Sequence, residues 1–239
     1  MKHQDYIYLS EDYYNKPKQI FSYLLDLLEQ NLGSTPPPFF KSKKLLDIGC
    51  SRGEFLYFCK KSLKFDTNLL YGLDYSSNLI DEAIKFDGLK GVNFSVGSAE
   101  NFNLNTQFDI VFMTGVLSYF DDVSDTIKCI DSHLSPNGIA IITGGFNDAD
   151  VDLITRYRNN RYFNTFEPGW NMHSIHTIRK ILKTYKLDII DIKTFYLSFN
   201  SIPQEDPCRS WNIQTENGVK FTNGMSLLYD IRSLIIKRV

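Results

Sequence analysis

Short apolar runs alternate with segments of helical period along most of the chain. Leu45-Leu46-Asp47-Ile48, Tyr71-Gly72-Leu73-Asp74, Val92-Asn93-Phe94-Ser95-Val96, Phe108-Asp109-Ile110-Val111-Phe112-Met113 and Ile139-Ala140-Ile141-Ile142-Thr143 each have the length and residue types of a strand. Helical faces fall between them, such as Leu79, Ile80, Ala83 and Ile84 behind a serine cap at Ser76 or Ser77. Strands separated by helices in this way predict an α/β fold. The expected architecture is a Rossmann-like doubly wound sheet, mostly parallel, with its ligand at the carboxyl edge.

The pattern changes at both ends of this core. Ile20, Phe21, Leu24, Leu25, Leu28 and Leu32 recur at helical spacing between Pro17 and Gly33, which predicts an amphipathic helix packed on the sheet's edge. Thr35-Pro36-Pro37-Pro38 reads as a stiff extended connector, so residues 1–40 form an arm and helix and residues 41–239 the main domain. Tyr6, Tyr8, Tyr13 and Tyr14 either anchor the arm or form an aromatic flap over a pocket. Leu134-Ser135-Pro136-Asn137-Gly138 reads as a turn. An insertion follows the fifth strand over residues 144–176. There Asp150 can cap a helix through Val151, Leu153, Ile154 and Tyr157, and Ser174 a second one carrying Ile175, Ile178, Ile181 and Leu182. Two last strand candidates, Leu187 to Phe199 and Met225 to Lys237, have no helical pattern between them, which suggests a hairpin.

With 239 residues and 43% hydrophobic content, the chain can bury one large core. A net charge of −2 supplies no electrostatic footprint for nucleic acid or an anionic membrane surface. Cys50, Cys59, Cys129 and Cys208 form no C-x-x-C pair, as expected in a reduced compartment. The start, Met1 to Tyr6, has no apolar signal region, and no run approaches the ~18 apolar residues of a membrane span. The expectation is a cytoplasmic protein without membrane or nucleic-acid partners; the oligomeric state stays open.

The chemistry concentrates where the first strand enters a small-residue turn, Asp47-x-Gly49-x-Ser51-x-Gly53, and leaves it as a helix. A dinucleotide fingerprint would need glycine at positions 51 and 54, where Ser51 and Glu54 stand. The run instead resembles the first motif of the class I S-adenosylmethionine-dependent methyltransferases, with serine for the central glycine. Residues 44–146 follow that family motif by motif. The resemblance implies S-adenosylmethionine as cofactor, held by Asp47, Gly49, Cys50, Ser51 and Gly53. It gives the ribose hydroxyls to Asp74, with Tyr75 alongside, and the adenine to Ser98, Ala99 and Glu100, Ser98 standing where the family often carries an acid. Thr114 to Phe120 then line the methyl-donor pocket, and the final strand is antiparallel.

The resemblance further implies methyl transfer to a small-molecule acceptor, most simply a hydroxyl oxygen of an anionic or sugar-like metabolite or glycan precursor. The alternative is a catalytically silent S-adenosylmethionine-binding protein. No Asp/Asn-Pro-Pro-aromatic run follows the fourth strand, which argues against amino-methylation of nucleic acid. His173 is the candidate general base, with Tyr119 and His176 as the other catalytic candidates; His3 and His133 read as structural. Arg156, Arg158 and Arg161, with Trp170, are candidate substrate-binding residues, because a planar guanidinium suits phosphate or carboxylate. Their alternative is a solvated helix face with Asp152 paired to Arg156. Asp121, Asp122, Asn147 and Asp148 either gather a divalent ion or cap turns, and no metal is expected.

Overall fold

The computed structural model describes Leu9, residues 12–32 and residues 37–239, with backbone alone at 37–39. His3, Tyr6, Tyr8, Gly33, Thr35 and Pro36 lie outside the described residues. The central sheet is built from β1 (Leu45–Ile48), β2 (Leu70–Asp74), β3 (Asn93–Val96), β4 (Phe108–Thr114) and β5 (Leu134–Asn147), completed by β9 (Leu187–Phe195) and β13 (Ile231–Arg238). Its order is β3-β2-β1-β4-β5-β13-β9. The first five strands run parallel, and β13 lies antiparallel between β5 and β9.

Alternation along the strands sorts the core into two layers. Leu46, Ile48, Val111, Met113, Ala140 and Ile142 face one cluster, and Leu45, Ile110, Phe112, Ile139 and Ile141 face the other. α4 (Ser124–His133) and α5 (Ile175–Thr184) cover the first face through Ile127, Ile130, Ile178 and Leu182. α1 (Gln19–Leu32) and α2 (Glu54–Leu63) cover the second, joined by α3 (Ser77–Lys85) through Ile80. The N-terminal helix therefore packs on a face of the sheet and not on its edge, because its five buried apolar residues need more area than an edge strand offers.

Four other local expectations change. Pro37 and Pro38 open a 3-10 turn, Pro37–Ser42, in place of an extended connector. Leu134 to Gly138 belongs to β5: its pairing jumps from Phe108↔Leu134 to Ile110↔Ile139, so the residues read as a turn loop out of a continuing strand. No helix forms after Asp150. Leu153 pairs instead with Met172 through two 3.0 Å backbone hydrogen bonds, and Val151, Leu153 and Ile154 stay exposed. That face had no layer left to bury against. The last two strands do pair, Phe195 opposite Ile231, but residues 196–230 form no tight turn between them. They contain a small antiparallel sheet of β10 (Trp211–Thr215), β11 (Gly218–Thr222) and β12 (Leu228–Tyr229). β6 (Arg156–Tyr157) and β7 (Glu167–Pro168) pair within the other insertion, and β8 (His173–Ser174) pairs in parallel with the end of β5.

Candidate active site

The turn after β1 works because its residues accept left-handed backbone. Gly49 has φ +78° and Gly53 φ +77°; a Cβ on Gly49 would stand 2.3 Å from Val116 Cγ2, so only glycine fits there. Ser51 lies between them with φ +52°, an uncommon conformation for a residue with a side chain. Its N–H donates to Asp74 Oδ2 at 2.8 Å, and the Ser76 N–H donates to Asp74 Oδ1 at 2.9 Å. The Asp74 carboxylate at the end of β2 is thus clamped in one orientation, and Gly49 N is tied to the Leu73 carbonyl at 2.7 Å.

Three carboxylates crowd this turn. Asp47 and Asp74 are buried at strand ends, and Glu54, also buried, pairs with Arg52 at 2.9 Å. Burial, and then the charges of Asp74 and Glu54, hold the Asp47 carboxyl well above the usual carboxylate range. Burial raises the Cys50 thiol as well, with Asp47, Asp74 and Glu54 adding to it, which disfavours the thiolate. A strand-end carboxylate held by two backbone N–H groups suits a ligand that offers hydroxyl or ammonium donors. The hydroxyls of Ser51 and Ser76 are buried with no hydrogen-bond partner among the described residues. The Ser51 hydroxyl, on the turn that faces the ligand, fits a polar cofactor that completes it.

From this turn a cleft of about 1490 Å³ runs along the carboxyl edge of the sheet. Asp47, Gly49, Cys50, Ser51, Asp74, Tyr75, Ser98, Ala99, Thr114 and Tyr119 line it, whereas Gly53 and Glu100 lie outside its wall. Ser98 Oγ accepts the Glu100 N–H at 3.3 Å. Beyond Thr114 the cleft is walled by Ile20 of α1, by Tyr157, Phe163 and Trp170 of the first insertion, and by Phe195 and Tyr229. Trp170 and Tyr229 meet with ring centroids 6.0 Å apart. Tyr14 anchors the arm beside the turn, stacked on Phe86 at 3.9 Å with its hydroxyl donating to the Arg52 carbonyl; Tyr13 lines the cleft.

Several candidate residues are placed elsewhere. His173 is buried in β8 with Nε2 3.0 Å from the Phe120 carbonyl oxygen, outside the cleft wall, so its ring braces the segment after β4. His176 is exposed in the first turn of α5, where its N–H donates to Ser174 Oγ at 3.1 Å. His133 ends α4 and takes the Leu104 N–H at 3.2 Å. Among the described residues no histidine lines the cleft. Arg156 pairs with Asp121, Arg158 sits 5.2 Å over the Phe166 ring, and Arg161 donates to the Glu205 carbonyl at 2.5 Å; none of the three enters the cleft. Asp152 accepts from Ser174 N at 2.6 Å and from Thr177 at 2.9 Å and does not pair with Arg156. Asp122 takes the Ser124 N–H at 2.8 Å, Asn147 holds the Val151 carbonyl at 3.0 Å, and Asp148 pairs with Arg232. Among the described residues no group of three or more His, Cys, Asp or Glu side chains is placed to hold a metal ion. Likewise none of their helices is long and apolar enough to cross a membrane.

Sequence reasoning missed Glu54 and Arg209 as parts of this wall. Glu54 stood in the motif and carried a usable signal. Arg209 lies in a stretch without periodicity and carried none.

Known proteins share this arrangement. A family model described as a methyltransferase domain matches residues 17–192. The malonyl-[acyl-carrier protein] O-methyltransferase of Priestia megaterium (strain DSM 319 / IMG 1521) is 25% identical over 142 residues, 57% of this chain and 51% of that protein. Its counterpart in Bacillus anthracis is 21% identical over 192 residues, 78% of this chain and 68% of that protein. The match thus spans about half the length of the first and two thirds of the second. An S-adenosylmethionine-dependent methyltransferase from Clostridium acetobutylicum ATCC 824 superposes with a TM-score of 0.60 at 17% identity, covering 97% of this chain and 94% of that one. The glycopeptide N-methyltransferase MtfA, solved with S-adenosyl-L-methionine, gives 0.57 at 11% identity, covering 90% and 92%.

Proposed function

This chain belongs to the S-adenosylmethionine-dependent methyltransferases, and on that premise we propose that it methylates a hydroxyl oxygen of a small-molecule acceptor. The observation that carries this reading is the continuation of the cleft past the cofactor turn, between aromatic walls. Its volume of about 1490 Å³ exceeds the roughly 300–1,000 Å³ of a typical single-ligand pocket, which leaves room for two molecules end to end.

When bound, S-adenosylmethionine supplies a methyl group on a sulfonium, open to in-line displacement. Asp74, fixed by the Ser51 and Ser76 N–H groups, is suited to hold the ribose, and Ser98 and Ala99 the adenine side. The wall from Thr114 to Tyr119 would then border the acceptor, so this chain's contribution is chiefly alignment. With no histidine among the described lining residues, the best acceptor is a hydroxyl that ionises readily, such as a phenol, with Tyr119 shaping its approach. The names of the curated relatives favour oxygen over nitrogen.

The test is transfer of labelled methyl from S-adenosylmethionine to a metabolite panel. Label in an alkali-stable ether is expected. Label on nitrogen, or an alkali-labile ester, overturns the hydroxyl assignment, and cofactor binding without turnover over the whole panel leaves the silent binding protein.

A further inference from the structure

Resting on that reading of the cleft, we infer that Arg209 receives an oxyanion, carboxylate or phosphate, carried by the methyl acceptor on an otherwise apolar body. The three arginines marked by sequence as anion ligands are engaged outside the cleft, yet Arg209 lines it. Its side chain is partly buried and has no hydrogen-bond or ion-pair partner among the described residues. A guanidinium carries five donors, and one that lines a cleft without a protein partner is available to a ligand.

The backbone beneath it is fixed from two directions. The Asp206 carbonyl accepts the Arg209 N–H at 3.0 Å, closing a turn. Asp206 Oδ1 takes the Cys208 N–H at 3.0 Å and the amide of buried Asn159 at 3.1 Å. Arg161 locks the adjoining Glu205 carbonyl at 2.5 Å. The two insertions are therefore latched together, and the latch presents Arg209 to the cleft. Among the described residues Asp206 accepts from those donors, and Glu167 accepts from the Thr165 hydroxyl at 3.4 Å.

Asp47, Glu54 and Asp74 gather at the cofactor turn, and Arg209 stands on the segment between β9 and β13. The charged residues of the cleft wall also include Lys16, Lys18, Glu167 and Asp206. An anion carried by the acceptor would be drawn to the Arg209 guanidinium, which fixes the acceptor's orientation in the cleft. Trp170, Phe195 and Tyr229 supply area for an aromatic or aliphatic body.

The probes are 1-naphthylacetate, 1-naphthyl phosphate and uncharged 1-naphthylacetamide, titrated calorimetrically into the full chain saturated with S-adenosylhomocysteine. Wild type is expected to bind at least one anion roughly tenfold or more tighter than the amide, and the ratio of the two anions tells carboxylate from phosphate. Arg209→Ala should abolish that preference and leave the amide unchanged, with Arg209→Lys restoring part of it. Equal or absent binding of the three probes to wild type, or a preference that survives Arg209→Ala, overturns the inference. An Arg209-dependent preference without methyl transfer to any oxygen leaves this inference standing and defeats the oxygen reading instead.

Discussion

Ser51 concentrates two local costs. A side chain in left-handed backbone costs roughly 1–2 kcal/mol, and its buried hydroxyl has no partner among the described residues. Residues keep such costs where function returns them, and this one lies on the cofactor turn. Ser51→Gly should therefore raise the ligand-free melting temperature while weakening S-adenosylmethionine binding about five- to tenfold, as expected when one hydrogen bond to the cofactor is lost. Thermal unfolding and calorimetry together decide it, and an unchanged affinity would show that the hydroxyl does not serve the cofactor. The motif spacing was readable from sequence at this position. The orphaned hydroxyl was not, because burial of a single oxygen depends on neighbours distant in the chain.

At the scale of the element, β1 shows how a strand imposes chemistry on its residues. All four of its positions are buried, since it lies mid-sheet with layers on both sides, so Asp47 is forced inside beside Asp74 and Glu54. A carboxyl whose folded pKa is raised binds its proton more tightly in the folded state. Its contribution to stability is therefore complete below the unfolded value, near 3.9, and is lost as pH rises toward the folded value. Ligand-free Asp47→Asn should flatten that decline and be the more stable protein above the ordinary carboxylate range. Melting temperatures measured from pH 4 to pH 8 at fixed ionic strength check this, and parallel profiles for the two proteins would refute it. Strand and helix identities were legible here because period and length specify them. The expected helix after Asp150 failed because amphipathic spacing says nothing about whether a layer remains to receive it.

At the scale of the whole molecule, the insertion over residues 196–230 packs on the sheet through Phe195, Phe221 and Tyr229. Phe195 and Ile231 stand opposite each other at the ends of β9 and β13, so residues 196–230 could be replaced by an Asn-Gly turn without moving either strand. That variant should keep S-adenosylmethionine affinity within a few fold, since Asp47, Ser51 and Asp74 are untouched, and should lose acceptor methylation at least a hundredfold. Calorimetry beside a methyl-transfer assay tests both halves; a large loss of cofactor affinity would show that the insertion also closes the cofactor end.

The sequence by itself determined the alternation of strands and helices, the motif turn and the strand-end acids, because periodicity, capping and left-handed turns are set by residues close together in the chain. Tertiary structure alone decided what faces the cleft. It turned His173 onto a carbonyl, spent Arg156, Arg158 and Arg161 elsewhere, and brought Arg209 to the wall through a latch between Asn159 and Asp206. Which polar groups pair and which remain for a ligand is settled only when segments far apart in sequence compete for the same donors and acceptors.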